Sequence, residues 1–341
     1  MAPRQAKTLP ADAVESALER RAPRVSIIVP CYNTSQYVGE TLDSIAGQTY
    51  RDYEVLVVND GAPDTVALES ALAPFSAMIT YIAQENRGLA GARNTGIRAA
   101  RGEYVALLDS DDYWHPQYLE KLVAELDRSP EVDIVFPDAM NFGDSPEAGT
   151  SMLQLMPFEG DISFERLLAR ECFVFVGVLA RSETIRAAGL FDESLRSSED
   201  FELWLRVLNR GGRICCLREV LAYYRRRGDS LSANLDQMFA HHHKVWDKVE
   251  RTMVLSEREL HLLAAQRART EAERRLERGR AAFFRKEFRS ARADIAAANK
   301  TFRSTKLRLV LILLAAVPSL LLRAYHVRQR LTTRPTQRNE G

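Results

Sequence analysis

Short runs of apolar, mostly β-branched residues recur along the first 140 or so positions, each closed by a turn signal or a polar cluster. Val25–Pro30 (VSIIVP) is the first, and unbroken apolar character over so few residues predicts a strand buried on both faces. Tyr37, Val38, Thr41, Leu42 and Ile45 then share one side of a predicted helix. Glu54–Val58 predicts the second strand, followed by the turn signal Asn59-Asp60-Gly61. Ile79–Ile82 reads as a third strand, and Gly91–Ala100 as a helix stopped by Gly102. Tyr104–Leu108 is a fourth strand running into Asp109-Ser110-Asp111-Asp112. A helix over Pro116–Leu126 and a strand over Val132–Phe136 complete the series. Strands of this kind alternating with helices predict an α/β fold, its mainly parallel sheet covered by helices on both faces. Ligands bind such sheets beyond the carboxyl ends of the strands. Pro30-Cys31-Tyr32-Asn33, Asn59-Asp60 and Asp109–Asp112 all fall at that edge.

The pattern changes after Pro137. Phe142–Pro157 reads as a loop rich in Gly, Ser and Pro, and Glu199-Asp200 precedes a helix carrying Phe201, Leu203, Trp204, Leu205, Val207 and Leu208. Met238–Phe302 is charged and helical. Within it Gly279, Phe288, Ala291, Ile295 and Ala298 fit either a tetratricopeptide-like hairpin or a plain amphipathic helix pair. Leu309–Leu322 carries no charge. As a helix it would reach only about 21 Å, short of the roughly 30 Å hydrocarbon core, and Pro318 would kink it. Lys306, Arg308, Arg323 and Arg328 flank it, so a monotopic or re-entrant anchor on the cytoplasmic membrane face is expected, held partly by anionic lipid. A buried core helix and a true span are the alternatives.

Composition narrows the partners. The 341 residues leave room for a catalytic core and an appendage. With 47 Lys and Arg against 46 Asp and Glu, bulk charge gives no reason to expect nucleic acid. Only the end is biased: from Arg303 onward eight basic residues face the single acid Glu340. Cys31, Cys172, Cys215 and Cys216 show no metal-finger spacing and read as reduced thiols of a cytoplasmic protein. The first 24 residues lack the apolar stretch of a signal peptide.

The acidic run carries the chemistry. A nucleotide diphosphate leaves readily once its charge is neutralised, which a hard divalent cation held by carboxylates can do. Carboxylates two residues apart can divide ribose binding from metal binding; the same run could also be an acidic cap before a helix. Asp60 could accept from a base N–H, or simply sit in a turn. Tyr32 could stack on the base, or be a rim tyrosine. Arg93 could contact the nucleotide as a fixed cation, or be an exposed helix arginine. A carboxylate in Glu199-Asp200 could take a proton from an acceptor hydroxyl, or merely favour the helix dipole. Arg225-Arg226-Arg227 could clamp a departing diphosphate, or form a solvated loop. His241-His242-His243 point to different helix faces and make no metal site by themselves.

Six segments together resemble the family 2 glycosyltransferases: Val25–Asn33, Val55–Gly61, Glu85–Ile97, Gly102–Asp112, Gly189–Leu195 and Ser197–Arg206. That family has the GT-A fold, a Rossmann-like, mainly parallel sheet with helices on both faces. The resemblance runs from Val25 to about Ser232. It implies a base-reading role for Asp60, ribose binding for Asp109, metal ligation for Asp111 and general-base action for Asp200 in an inverting, hexosyltransferase-type reaction. Pro30, Tyr32 and Arg93 join Asp60 and Asp109 as nucleotide-binding candidates. Many relatives carry Tyr-Arg-x-His-Pro-Gly-Ser where this chain reads Tyr224-Arg225-Arg226-Arg227-Gly228-Asp229-Ser230. Arg227, at the histidine position, cannot ligate a metal but could pair with the diphosphate.

The expected organisation is a polar tail over 1–24, a GT-A domain over 25–235, a charged helical region over 236–305 and an apolar, membrane-associating segment with a basic tail over 306–341. The expected reaction uses Mg²⁺ or Mn²⁺ and a nucleotide-sugar donor, with UDP favoured, and a saccharide or lipid-linked acceptor. Synthesis of cell-surface polysaccharide or glycolipid at the membrane surface is its expected setting. A non-catalytic membrane adaptor that keeps the fold is the alternative.

Overall fold

The computed structural model describes residues 22–227 and 235–323. Most of the polar N-terminal tail, Gly228-Asp229-Ser230 and the basic tail from residue 324 lie outside the described residues. Two compact units are present. One runs to Ser163 and resumes over Cys172–Arg227; the other joins Phe164–Glu171 to the residues that follow Arg227.

The first unit is built on an eight-stranded sheet. Its strands are β1 (Val25–Cys31), β2 (Tyr53–Asp60), β3 (Ile79–Gln84), β4 (Tyr104–Leu107), β5 (Tyr113–Trp114), β6 (Ile134–Gly143), β7 (Leu179–Arg181) and β8 (Ile214–Arg226), in the order β3-β2-β1-β4-β7-β6-β8-β5. The leading half is parallel, with Ile27 opposite Val55 and Ala106, and Val57 opposite Tyr81. β7 enters antiparallel between β4 and β6, β6 and β8 run parallel, and β5 closes the edge antiparallel to β8. β1 is buried along its whole length, as unbroken VSIIVPC requires.

Helices α1 (Val38–Ala46), α2 (Thr65–Leu72), α3 (Gly88–Ala99), α4 (Tyr118–Arg128), a four-residue α5 (Met152–Leu155), α7 (Ser182–Ala187) and α8 (Glu199–Asn209) complete this unit; α6 (Phe164–Leu168) belongs to the other. α1 buries Val38, Thr41, Leu42 and Ile45, the stripe read from the sequence. α3 presses close to β1: a Cβ on Gly96 would lie 2.4 Å from Ile28 Cγ2, so only glycine allows this approach.

Several boundaries differ from the sequence reading. Asn59 and Asp60 are the last residues of β2, not turn residues, and pair with β3; the turn begins at Gly61, whose φ is 63°. β6 continues to Gly143, into what reads as loop. A register shift around Asp138 lets the ladder to β8 resume after Pro137, whose ring nitrogen cannot donate. Tyr223–Arg226 lie within β8 rather than after it. Glu199 and Asp200 open α8 instead of preceding it.

The second unit contains α6, α9 (Leu235–Thr252), α10 (Glu257–Phe284), α11 (Phe288–Phe302) and α12 (Thr305–Ala316). α10 and α11 form a tight hairpin. Gly279 sits where a Cβ would meet Ile295 Cγ1 at 2.7 Å, and Ala291 and Ala298 are fully buried. His241 and His242 are buried in α9, and burial holds His242 down at about 3, a neutral side chain at physiological pH. The apolar run breaks at Val317, ahead of Pro318, and a second short helical stretch follows.

Candidate functional site

Three loops at the carboxyl edge of the parallel strands are tied together by hydrogen bonds, two of them buried. Thr34 and Ser110 share a hydrogen bond of 2.8 Å, joining the loop after β1 to the acidic run after β4. Thr41 Oγ1 donates to the carbonyl of Asp112 at 2.7 Å, anchoring that run to α1. Beside them Asp64 accepts from the backbone N–H groups of Asn33 and Ser35, which holds Asn33 at a φ of 56°. Burial pushes the Cys31 thiol up to about 12, so this cysteine is an inert filler and not a nucleophile.

The centre of the site is a set of carboxylates organised by Arg93. This arginine is 1% exposed. One terminal nitrogen donates to Asp109 Oδ1 and the other to Glu199 Oε1, each at 2.7 Å, and its guanidinium lies 5.4 Å from the Phe191 ring centroid. Arg93 is thus not the exposed helix arginine that the sequence left open as the alternative to a nucleotide contact; it bridges two acids. A cation this deeply enclosed fixes the acid after β4 against the first turn of α8. α8 starts abruptly because Ser198 adopts a left-handed conformation, φ 60°. Asp200, next in the turn, accepts from the Phe201 N–H at 2.7 Å.

Packing this many acids together shifts their titration. Burial pushes Asp111 up to about 6, with the Asp109 charge adding to it and Arg227 working against it. Asp112 stands well above the usual carboxylate range because it is buried beside both Asp111 and Asp109; the N–H of Arg225, 2.8 Å away, opposes the shift. Glu199 rises to about 7 through burial, against the pull of Arg93 and with the push of Asp200. Asp200 is raised by burial too, opposed by Arg93 and reinforced by Asp109. The Asp109 charge thus acts on both Asp111 and Asp200.

The end of β8 closes over the acidic run. Arg227 Nε lies 3.2 Å from Asp111 Oδ2, and the Arg227 guanidinium sits 5.1 Å from the ring centroid of Tyr37. Arg225 donates to the Asp111 carbonyl at 2.8 Å, pairs with Glu40, and packs between Tyr37 and Phe142. The basic run is thus an ordered strand end facing the acids, where the sequence left a solvated loop open.

A sequence profile of the glycosyl transferase family 2 matches residues 26–181, the stretch that supplies β1 to β7 and the acidic run. Residues 26–181 carry a family 2 glycosyltransferase domain. It is 33% identical over 218 residues to the uncharacterized glycosyltransferase EpsJ of Bacillus subtilis, covering 62% of this chain and 63% of that one. It is 31% identical over 192 residues to an uncharacterized glycosyltransferase of Rickettsia felis, covering 54% of this chain and 31% of the relative. The chain thus spans less than two thirds of the length of either relative. Among solved structures it resembles Staphylococcus aureus TarS 1–349 in complex with UDP-GlcNAc, with TM-score 0.61, 20% identity and 86% and 87% of the two chains covered. It also resembles the mannosyltransferase PcManGT of Pyrobaculum calidifontis in complex with GDP-Man and Mn²⁺, with TM-score 0.58, 22% identity and 87% and 81% covered. The fold is GT-A.

On the opposite flank of the family 2 domain's edge lie the base-side candidates. Asp60 is buried at the end of β2, and its Oδ1 accepts from Gln84 Nε2 at 2.7 Å and from the Arg87 N–H at 2.8 Å. Its second oxygen has no bond among the described residues. Pro30 is buried in β1, whereas Tyr32 is 52% exposed at the rim. Strand order places Asp60 and Asp109 on the two neighbours of β1, at the same edge. Among the described residues, no hydrogen bond or ion pair joins Asp60, Pro30 or Tyr32 to the carboxylates around Arg93.

The donor set suits a hard cation that depends on its substrate. Asp109 and Asp111 offer carboxylate oxygens, but no group of three potential ligands forms among the described residues. Mg²⁺ and Mn²⁺ accept such a set, using one or two carboxylates and completing their shell with phosphate oxygens and water. The burial and the Asp109 charge that raise Asp111 are what a cation there would offset. Asp112, Arg225, Glu199 and Tyr37 received no individual role in the sequence reading. The first three stood in runs it singled out, but only the tertiary pairing separates buried carboxylates and an ordered arginine from solvated ones.

Proposed function

We propose that this protein is an inverting glycosyltransferase that moves a hexosyl group from a nucleotide-diphosphate sugar, UDP-linked by preference, to a hydroxyl of a saccharide or lipid-linked acceptor. One observation carries the reading: the buried Arg93 ties Asp109, in the acidic run that includes Asp111, to Glu199 beside Asp200. The GT-A frame and the nucleotide sugars bound to TarS and PcManGT support a donor of this class.

In this reading Asp60 accepts from the base imide through its open oxygen, with Tyr32 and Pro30 flanking the ring. Asp109 accepts from ribose hydroxyls. Asp109 and Asp111 would hold Mg²⁺ or Mn²⁺, which when bound supplies charge neutralisation for the diphosphate. Asp200 orients the acceptor hydroxyl and takes its proton as oxygen attacks the anomeric carbon. Its raised basicity suits that task better than an ordinary aspartate would. Arg227 exchanges Asp111 for the diphosphate and holds its charge as the sugar departs. The test is release of nucleoside diphosphate from a panel of nucleotide sugars by the purified protein, with and without Mg²⁺ or Mn²⁺. No release with any donor would favour a binding module that keeps only the fold.

A further inference from the structure

The helix α12 has two apolar faces, and the fold uses only one. Leu307, Leu311 and Leu314 pack into a core with Ala282, Phe283 and Ile295 of the hairpin. On the other side Leu309 is 58% exposed and Ile312 is 64% exposed, with Ala316 exposed on the same line. These positions follow an i, i+3, i+7 spacing, a continuous stripe along one helix face. Leu320, 62% exposed, extends it beyond the break at Val317.

The charges around this stripe name its occupant. Arg303, Lys306, Arg308 and Arg323 are all exposed, and no acid occurs between residues 303 and 323. Among the described residues none of the four forms an ion pair. Two copies of this chain joined through the stripe would bring like charges together, whereas an anionic lipid surface complements them. The helix does not suit a crossing: twelve residues reach about 18 Å, one side is committed to the hairpin core, and no described helix is long and apolar enough to span a bilayer.

We propose that the outer face of α12 is a docking surface for an anionic lipid bilayer. The helix lies in the plane of the interface. Leu309, Ile312 and Leu320 enter the acyl boundary while Lys306, Arg308 and Arg323 meet lipid phosphates. The hairpin core holds the helix from behind, so the anchor is presented already folded.

The test is sedimentation of the full-length protein with vesicles of phosphatidylcholine, with or without phosphatidylglycerol. Binding is expected only with phosphatidylglycerol and should weaken at least tenfold between about 50 and 500 mM NaCl. The double variant Leu309→Ser/Ile312→Ser, checked for folding by circular dichroism, should bind at least tenfold more weakly, as should Lys306→Glu/Arg308→Glu. In Ile312→Trp, adding these vesicles should shift the added fluorescence to the blue, and brominated lipid should quench it. Equal binding by the serine variant, or no fluorescence response in Ile312→Trp, would overturn the proposal. A wild-type dimer that ignores vesicles and dissociates in the serine variant would overturn it too, assigning the stripe to a second copy.

Discussion

At the scale of single residues, the proposed reaction divides the acids into those that would face substrate and those that hold them in place. Asp111→Ala should lower turnover by at least about a thousandfold, since it removes a carboxylate from the proposed cation site, while a folded protein remains. Donor turnover measured across metal concentrations checks this. Asp200→Asn should bind nucleotide like the wild type and lose roughly a hundredfold to ten-thousandfold in kcat, the range for a missing general base. Titration calorimetry beside steady-state kinetics separates the two effects. Arg227 meets Asp111 at 3.2 Å, so in the proposed reaction it would compete with the cation for that carboxylate. Arg227→Ala should therefore tighten the apparent metal requirement roughly tenfold while lowering kcat, and a weaker metal dependence would count against the exchange.

Legibility at this scale was uneven. Asp109, Asp111 and Asp200 stand out in the sequence as residue types at strand and helix ends, and Arg93 ties Asp109 to the helix turn that carries Asp200. Arg93 is legible as a nucleotide-contact candidate, but its two acid partners are not, because nothing local signals that the run after β4 and the start of α8 both close upon it. The basic end of β8 was equally opaque: Arg225 is ordered by Glu40, Tyr37 and Asp111, partners far away in the chain.

At the scale of elements, Arg93 is the joint between the strand that ends in the acidic run and the helix that starts with Glu199. Replacing it by methionine leaves two buried carboxylates without their cation, at a cost of about 3–5 kcal/mol, readable as a fall in the denaturation midpoint. The same joint gives stability a pH dependence. Glu199 titrates near 7 in the folded chain and near its ordinary 4.5 when unfolded. The folded state therefore holds this proton more tightly. Its contribution is complete below about 4.5 and is lost as pH rises through about 7. Thermal melts of Glu199→Gln should accordingly lose less stability than the wild type across that window. In the hairpin, Gly279→Val should cost about 1–3 kcal/mol through overpacking, because even its Cβ would meet Ile295 at 2.7 Å. Unbroken apolar strands and the glycine-alanine seam were readable here because each is a local pattern. The extension of β6 to Gly143 was not, since its pairing to β8 resumes only after a register shift.

At the scale of the whole molecule, a GT-A domain and a helical unit share one chain, and each has a face turned to chemistry it does not satisfy alone. The domain gathers negative charge that its own arginines only partly offset, which suits a cation arriving with a diphosphate. The helical unit leaves an apolar stripe ringed by positive charge. Alternating strands and helices disclosed the first unit, and the resemblance of six ordered motifs disclosed its family. The inclusion of Phe164–Glu171 in the second unit carries no sequence mark, because it depends on packing between segments separated by more than sixty residues. The most direct test of the central claim is release of nucleoside diphosphate by wild type and by Asp111→Ala, over a panel of nucleotide sugars, with Mn²⁺ or Mg²⁺ and then with excess chelator. Release by the wild type that stops with chelator and is missing in the variant is the expected result. Release that continues undiminished in Asp111→Ala would contradict the account.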